Sequence, residues 1–126
     1  ESPNDYVIST GRNYRVRDFI EICASKLGWG KEGSVKGIIW EGSGLDEVGR
    51  RADNGEIIVK VDPRYYRPTE VETLLGDSSK AREKLGWYPK ISFEEMIEEM
   101  ISHDLEEAKK EFLLRKEGFS IFSSKE

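Results

Sequence analysis

Tyr6-Val7-Ile8-Ser9-Thr10-Gly11 is a short β-rich run closed by a glycine, and the segment after it changes period. Val16, Phe19, Ile20, Cys23, Ala24 and Leu27 fall at i, i+3, i+4, i+7, i+8 and i+11, which is one face of a helix. Gly28 supplies the stop. The opening unit is strand, glycine turn, helix, and it points to an α/β architecture. Ile38-Ile39-Trp40-Glu41 and Ile57-Ile58-Val59-Lys60-Val61 read as two further strands. Between them lies a polar, glycine-rich stretch, 42–56, holding the tight-turn pair Asn54-Gly55.

The second half of the chain is helical in pattern. Asp77 is a good N-cap for a two-turn helix from Ser78 to Leu85, with Gly86 as its stop. Ser92 and Glu95 make a capping box. After them Phe93, Met96, Ile97, Met100, Ile101, Leu105, Ala108 and Phe112 form one stripe, which predicts a core-facing helix from Phe93 to about Arg115. Glu106–Lys110 and Glu111–Arg115 are expected as i,i+4 pairs on its wet side.

The whole is 126 residues, the size of one domain, so a single region 1–126 is expected. Twenty basic against 25 acidic residues leave a net charge of −5, which argues against a nucleic-acid partner. No apolar run approaches the roughly 20 residues of a membrane span, and the N-terminus lacks a signal-peptide layout. Cys23 is alone, so no intrachain disulfide and no cysteine-based zinc site can form. With one histidine, His103, a His-rich metal site is excluded too. These features suit a reducing, cytoplasmic setting.

The chemistry-bearing motifs are few. Gly28-Trp29-Gly30-Lys31-Glu32-Gly33 matches GxGxxG, but it follows a helix instead of opening one, so a helix stop and loop is expected there. Cys23 reads as a buried structural thiol and His103 as a solvated surface side chain. Met96 and Met100 read as core. Glu94, Glu95, Glu98 and Glu99 read as a wet helix face with a favourable dipole. None of the five tyrosines is followed by lysine at i+4, and no Walker A loop is present. The informative constellation is Arg67-Pro68-Thr69-Glu70. A guanidinium suits bidentate capture of phosphate oxygens, and a carboxylate three residues on can accept from the two hydroxyls of a ribose. Pro68 stiffens the spacing. The same residues could equally form a surface ion pair on a turn.

Three stretches carry a resemblance: Tyr6–Gly11, Trp40-Glu41-Gly42-Ser43-Gly44-Leu45-Asp46-Glu47-Val48-Gly49, and above all Val61-Asp62-Pro63-Arg64-Tyr65-Tyr66-Arg67-Pro68-Thr69-Glu70 running on to Gly76-Asp77. Lys84-Leu85-Gly86-Trp87 with Pro89, then Asp104-Leu105-Glu106 and Lys109-Lys110, continue it. In order and spacing, these resemble the C-terminal part of GDP-mannose 4,6-dehydratases, extended short-chain dehydrogenase/reductase enzymes. The resemblance implies a small α/β substrate-binding lobe with short strands and a long last helix. It implies a parent enzyme that converts GDP-mannose to GDP-4-keto-6-deoxymannose on the route to GDP-fucose, as a homo-dimer or homo-tetramer. It implies NADP and every catalytic residue on an N-terminal Rossmann domain upstream of Glu1. No cofactor, metal or catalytic residue is then expected in this chain, which alone should be inactive. Arg67 and Glu70 are carried over as contacts to the GDP diphosphate and ribose, with Tyr66 beside them. The missing initiator methionine fits a fragment. The alternatives are a stand-alone, non-catalytic nucleotide-binding module, or a dehydratase of another GDP-sugar such as GDP-heptose.

Overall fold

The computed structural model describes residues 2–30, 36–70 and 72–121. Its elements in chain order are α1 (Val16–Lys26), β1 (Ile38–Glu41), a 3-10 turn (Gly44–Asp46), β2 (Val48–Arg51), β3 (Ile57–Lys60), α2 (Ser79–Leu85) and α3 (Phe93–Lys116). The chain is a small α/β unit with one three-stranded antiparallel meander and a long C-terminal helix.

α1 forms where the periodicity places it. Its end is a Schellman turn: Gly28 takes φ 73, its amide donates to Ser25, and the Trp29 amide donates to Ala24. In the sheet, Trp40 pairs with Gly49 across β1–β2, and Gly49 with Val59 across β2–β3. A register shift comes between Gly49 and Arg50. The pleat sends Ile38 inward and leaves Ile39 exposed. The Asn54-Gly55 turn is where the sequence puts it. The Glu56 amide donates to Asn54 Oδ1 at 2.9 Å, and the Arg51 amide to the Glu56 carbonyl at 2.8 Å. β2 lies within the stretch whose composition is that of a polar loop. Val48-Gly49-Arg50-Arg51 lacks strand composition, and its place is fixed by pairing on both sides.

Two expectations are corrected. Tyr6–Thr10 is irregular, because no strand among the described residues lies beside it to complete a ladder. The segment is held by side chains instead. Lys80 Nζ of α2 donates to Asn4 Oδ1 and to the Asp5 carbonyl, both at 2.8 Å, and lies over the Tyr6 ring. The α3 stripe is also less buried than its spacing predicts. Ile97 is fully buried, whereas Met96 and Met100 are 41% and 43% exposed, and Leu105 and Phe112 are exposed too. The reason is length. α1, with 11 residues, spans about 16 Å, and α3, with 24, about 36 Å, so α1 covers less than half of it.

Where the two helices meet, Tyr14 stacks on Phe93 with centroids 3.9 Å apart, Phe19 packs at 6.4 Å, and Lys26 bridges Glu98 at 3.2 Å. The α3 start is the expected box: the Glu95 amide donates to Ser92 Oγ, and the Ser92 amide to Glu95 Oε2 at 2.7 Å. α2 starts at Ser79. Its N-cap is therefore Ser78, not the expected Asp77, and the Ser78 side chain makes no capping bond; Asp77, one residue earlier, still accepts from the Ser79 amide at Oδ1 at 2.9 Å. Glu111–Arg115 pairs as predicted, while Lys110 lies nearest Glu107. No helix among the described residues is long and apolar enough to cross a membrane.

Candidate functional site

Tyr66, Arg67 and Glu70 lie together on the loop that connects β3 to α2. The loop begins with a tight turn built by Asp62. Its Oδ1 accepts from the Arg64 amide at 3.0 Å, its Oδ2 accepts from Arg64 Nη2 at 2.7 Å, and the Tyr65 amide donates to its carbonyl at 3.1 Å. The Arg64 guanidinium holds the Asp62 carboxyl below the usual carboxylate range. Arg64 is thereby committed, its guanidinium also lying 5.4 Å from the Tyr65 ring centre.

Arg67 is different. Past the turn the chain bends at Pro68-Thr69, and Arg67 and Glu70 stand exposed on either side. Among the described residues neither makes a hydrogen bond or an ion pair, to the other or to anything else. The surface ion pair that the spacing allows does not form. The loop thus presents a guanidinium and a carboxylate three residues apart, both without a partner among the described residues. Tyr66 is 44% exposed and faces the 3-10 turn: a Cβ added at Gly44 would lie 3.8 Å from its hydroxyl. That neighbour is not evident from the sequence.

The other chemistry-bearing positions stay apart from this loop. Cys23 sits half-buried on α1, and burial pushes its thiol up, away from the reactive thiolate. His103 is exposed on α3. Of the GxGxxG run, Gly28 and Gly30 are described and Lys31–Gly33 lie outside the described residues. The amides of Gly28 and Trp29 are engaged in the α1 stop, so they are not free for a pyrophosphate. Among the described residues no group of three His, Cys, Asp or Glu is placed to hold a metal ion.

Fold and loop together define an α/β unit with an exposed guanidinium and an exposed carboxylate three residues apart on the β3–α2 loop. Comparison with known proteins gives the family. The family model for GDP-mannose 4,6 dehydratase matches residues 1–100. A GDP-mannose 4,6-dehydratase of Yersinia enterocolitica is 51% identical over 124 residues, covering 96% of this chain and 33% of its own length. GDP-mannose 4,6 dehydratase 2 of Caenorhabditis elegans is 47% identical over 105 residues, covering 83% and 25%. The human GDP-mannose 4,6 dehydratase is 43% identical over 106 residues, covering 84% and 27%. The chain belongs to the GDP-mannose 4,6-dehydratase family, and it matches the C-terminal part of that enzyme. It spans about a third or less of the curated relatives it matches. These matches do not favour a stand-alone module or a dehydratase of another GDP-sugar.

Proposed function

We propose that this chain is the substrate-holding lobe of a GDP-mannose 4,6-dehydratase, a hydro-lyase, of the extended short-chain dehydrogenase/reductase type. The observation that carries the reading is the open Arg67/Glu70 pair on the β3–α2 loop, stiffened by Pro68. In this reading Arg67 binds diphosphate oxygens with two parallel N–H donors, and Glu70 accepts from the ribose hydroxyls. Tyr66 lies alongside. None of these groups moves a proton or hydride. Their contribution is to anchor the nucleotide, so that binding energy from the remote GDP aligns the sugar for reaction elsewhere in the enzyme.

NADP belongs to the same reading, but not to these residues. Gly28 closes a helix where a dinucleotide needs one opened, so no step is assigned to a cofactor held here. The route to GDP-fucose, the homo-dimeric or homo-tetrameric parent and the cytoplasmic setting rest on the family resemblance. The test is Arg67→Ala in the whole enzyme. A hydrogen bond to a charged group contributes about 1.5–3 kcal/mol, so GDP affinity should fall tenfold or more. Unchanged affinity would remove Arg67 from the site.

A further inference from the structure

Arg17 and Glu47 have no part in holding the nucleotide directly, yet they tie the 3-10 turn beside Tyr66 to α1. Arg17 Nη2 donates to Glu47 Oε1 across 30 residues of chain, and both side chains are part-buried. The Arg17 guanidinium also lies against the sheet, 4.3 Å from the ring centre of Trp40. Trp40 is fixed in turn by α1: its Nε1 donates to Glu21 Oε1 at 3.1 Å, and Glu21 is one helical turn along from Arg17. Glu47 directly follows Asp46, the last residue of the turn. The turn's own backbone bonds are local, Asp46 amide to Ser43 and Glu47 amide to Gly44. The turn joins β1 to β2, and the pairing of Glu41 with Val48 anchors both of its ends. The Glu47–Arg17 contact ties it, in addition, to α1. Gly44, with φ 58, neighbours Tyr66: a Cβ added there would lie 3.8 Å from the Tyr66 hydroxyl.

We propose that Arg17 and Glu47 are positioning residues for the nucleotide: together they clamp the 42–46 turn against Tyr66 and so set where the adjacent Arg67 meets the GDP diphosphate. The inference rests on the substrate-lobe reading. Arginine is needed at 17 because one planar group both pairs with a carboxylate and stacks on an indole, which the point charge of lysine does not do. Neither residue touches substrate. Loss of the clamp therefore acts on binding and leaves the chemical step at saturation unaltered.

The test uses the whole enzyme and compares Glu47→Gln, Arg17→Ala, Arg17→Lys and the swap Arg17→Glu/Glu47→Arg, with Arg67→Ala as benchmark. GDP Kd is measured by calorimetry, kcat and KM with GDP-mannose, and folding by thermal melting. The expected result is a fivefold or greater rise in GDP Kd and KM for Glu47→Gln and Arg17→Ala, a smaller rise for Arg17→Lys, kcat within twofold of wild type, and partial recovery of Kd in the swap, which restores the ion pair but not the stack on Trp40. A rise in KM with kcat held, partly reversed by the swap, is not what a purely structural pair would give. Should Arg17→Ala fail to fold, the isosteric Glu47→Gln carries the test. Lowered melting temperature with unchanged GDP affinity overturns the inference, as does a fall in kcat with KM unchanged. If Arg67→Ala weakens GDP binding while Glu47→Gln does not, the clamp is refuted and the substrate lobe stands. If Arg67→Ala binds GDP normally, the substrate-lobe reading fails and the clamp with it.

Discussion

Truncating Ile97 to alanine tests how the two long helices are held. Ile97 is the largest fully buried side chain among the described residues, at 0% exposure, one helical turn after Phe93, which packs against Phe19 of α1. The change removes three carbons. At about 0.8 kcal/mol per buried methylene the transfer loss alone is about 2.4 kcal/mol. The cavity left behind adds to this, within the range of about 2–5 kcal/mol typical of such truncations. Collapse around the site is limited because the stacked rings of Tyr14 and Phe93 sit one turn away and resist moving. At roughly 4 °C per kcal/mol for a chain of this size, the melting temperature should fall by about 10 °C. The assay is urea and thermal unfolding followed by tryptophan fluorescence, with Ile97→Val and Leu113→Ala alongside. The valine variant should lose about 0.5–1.5 kcal/mol. Leu113, 58% exposed, should lose less than about 0.5 kcal/mol. An Ile97→Ala cost below about 1 kcal/mol, or one equal to that of Leu113→Ala, would refute the packing of α3 on α1.

Other outcomes rest on local geometry. Gly49→Ala places a Cβ 2.8 Å from Ile38 Cδ1, 3.0 Å from the Trp40 ring and 3.2 Å from Val59 Cβ. It should cost about 1–3 kcal/mol and alter the near-ultraviolet dichroism of Trp40; an unperturbed spectrum at wild-type stability would contradict the sheet register. Ser92→Ala removes the α3 cap and should cost about 1 kcal/mol in an unfolding titration. The Ser92 amide lowers the pKa of Glu95 from its ordinary 4.5. Because the folded value is the lower one, this contribution is present above about pH 4.5 and is lost as pH falls through the folded value. Glu95→Gln should therefore flatten part of the acid loss in melting temperature, and an identical acid profile would count against the box.

Local signals in the sequence are legible where one residue's chemistry decides the structure. Ser92 with Glu95, Gly28 after an apolar face, and Asn54-Gly55 each fix a few backbone bonds by themselves. Features that depend on distant partners are legible only in part. Tyr6–Thr10 has strand composition but no strand beside it, so composition alone misleads. β2 is the converse, a strand made by two neighbours despite its glycine and two arginines. A strong turn at 54–55 before β3 does imply a partner just upstream, and that is the available signal. Met96 and Met100 follow the period of a core face, yet burial needs a second helix long enough to cover them. At the site, the Arg67–Glu70 spacing and the stiffening proline are visible in the chain. Their freedom from any ion pair is not, because that depends on Arg64 being the cation that closes onto Asp62. The approach of Gly44 to Tyr66 is likewise hidden, since it arises from the sheet turning the chain back on itself.

The strand order β1-β2-β3 follows the chain, and this bears on how the protein reaches its structure. Each ladder closes over a short connection, so the sheet can assemble without any search between remote segments. The docking of α3 is another matter. Lys26 and Glu98 are 72 residues apart, and the rings that clasp the two helices belong to the same encounter. Formation of the meander first brings β1, and α1 packed beside it, into place, and shortens the loop that α3 must close. On loop-closure grounds the arrival of the last helix, which closes the longer loop, is expected to be the slower event. Substitutions at the α1–α3 contact should accordingly slow the docking of α3 while leaving the rate at which the sheet appears unchanged.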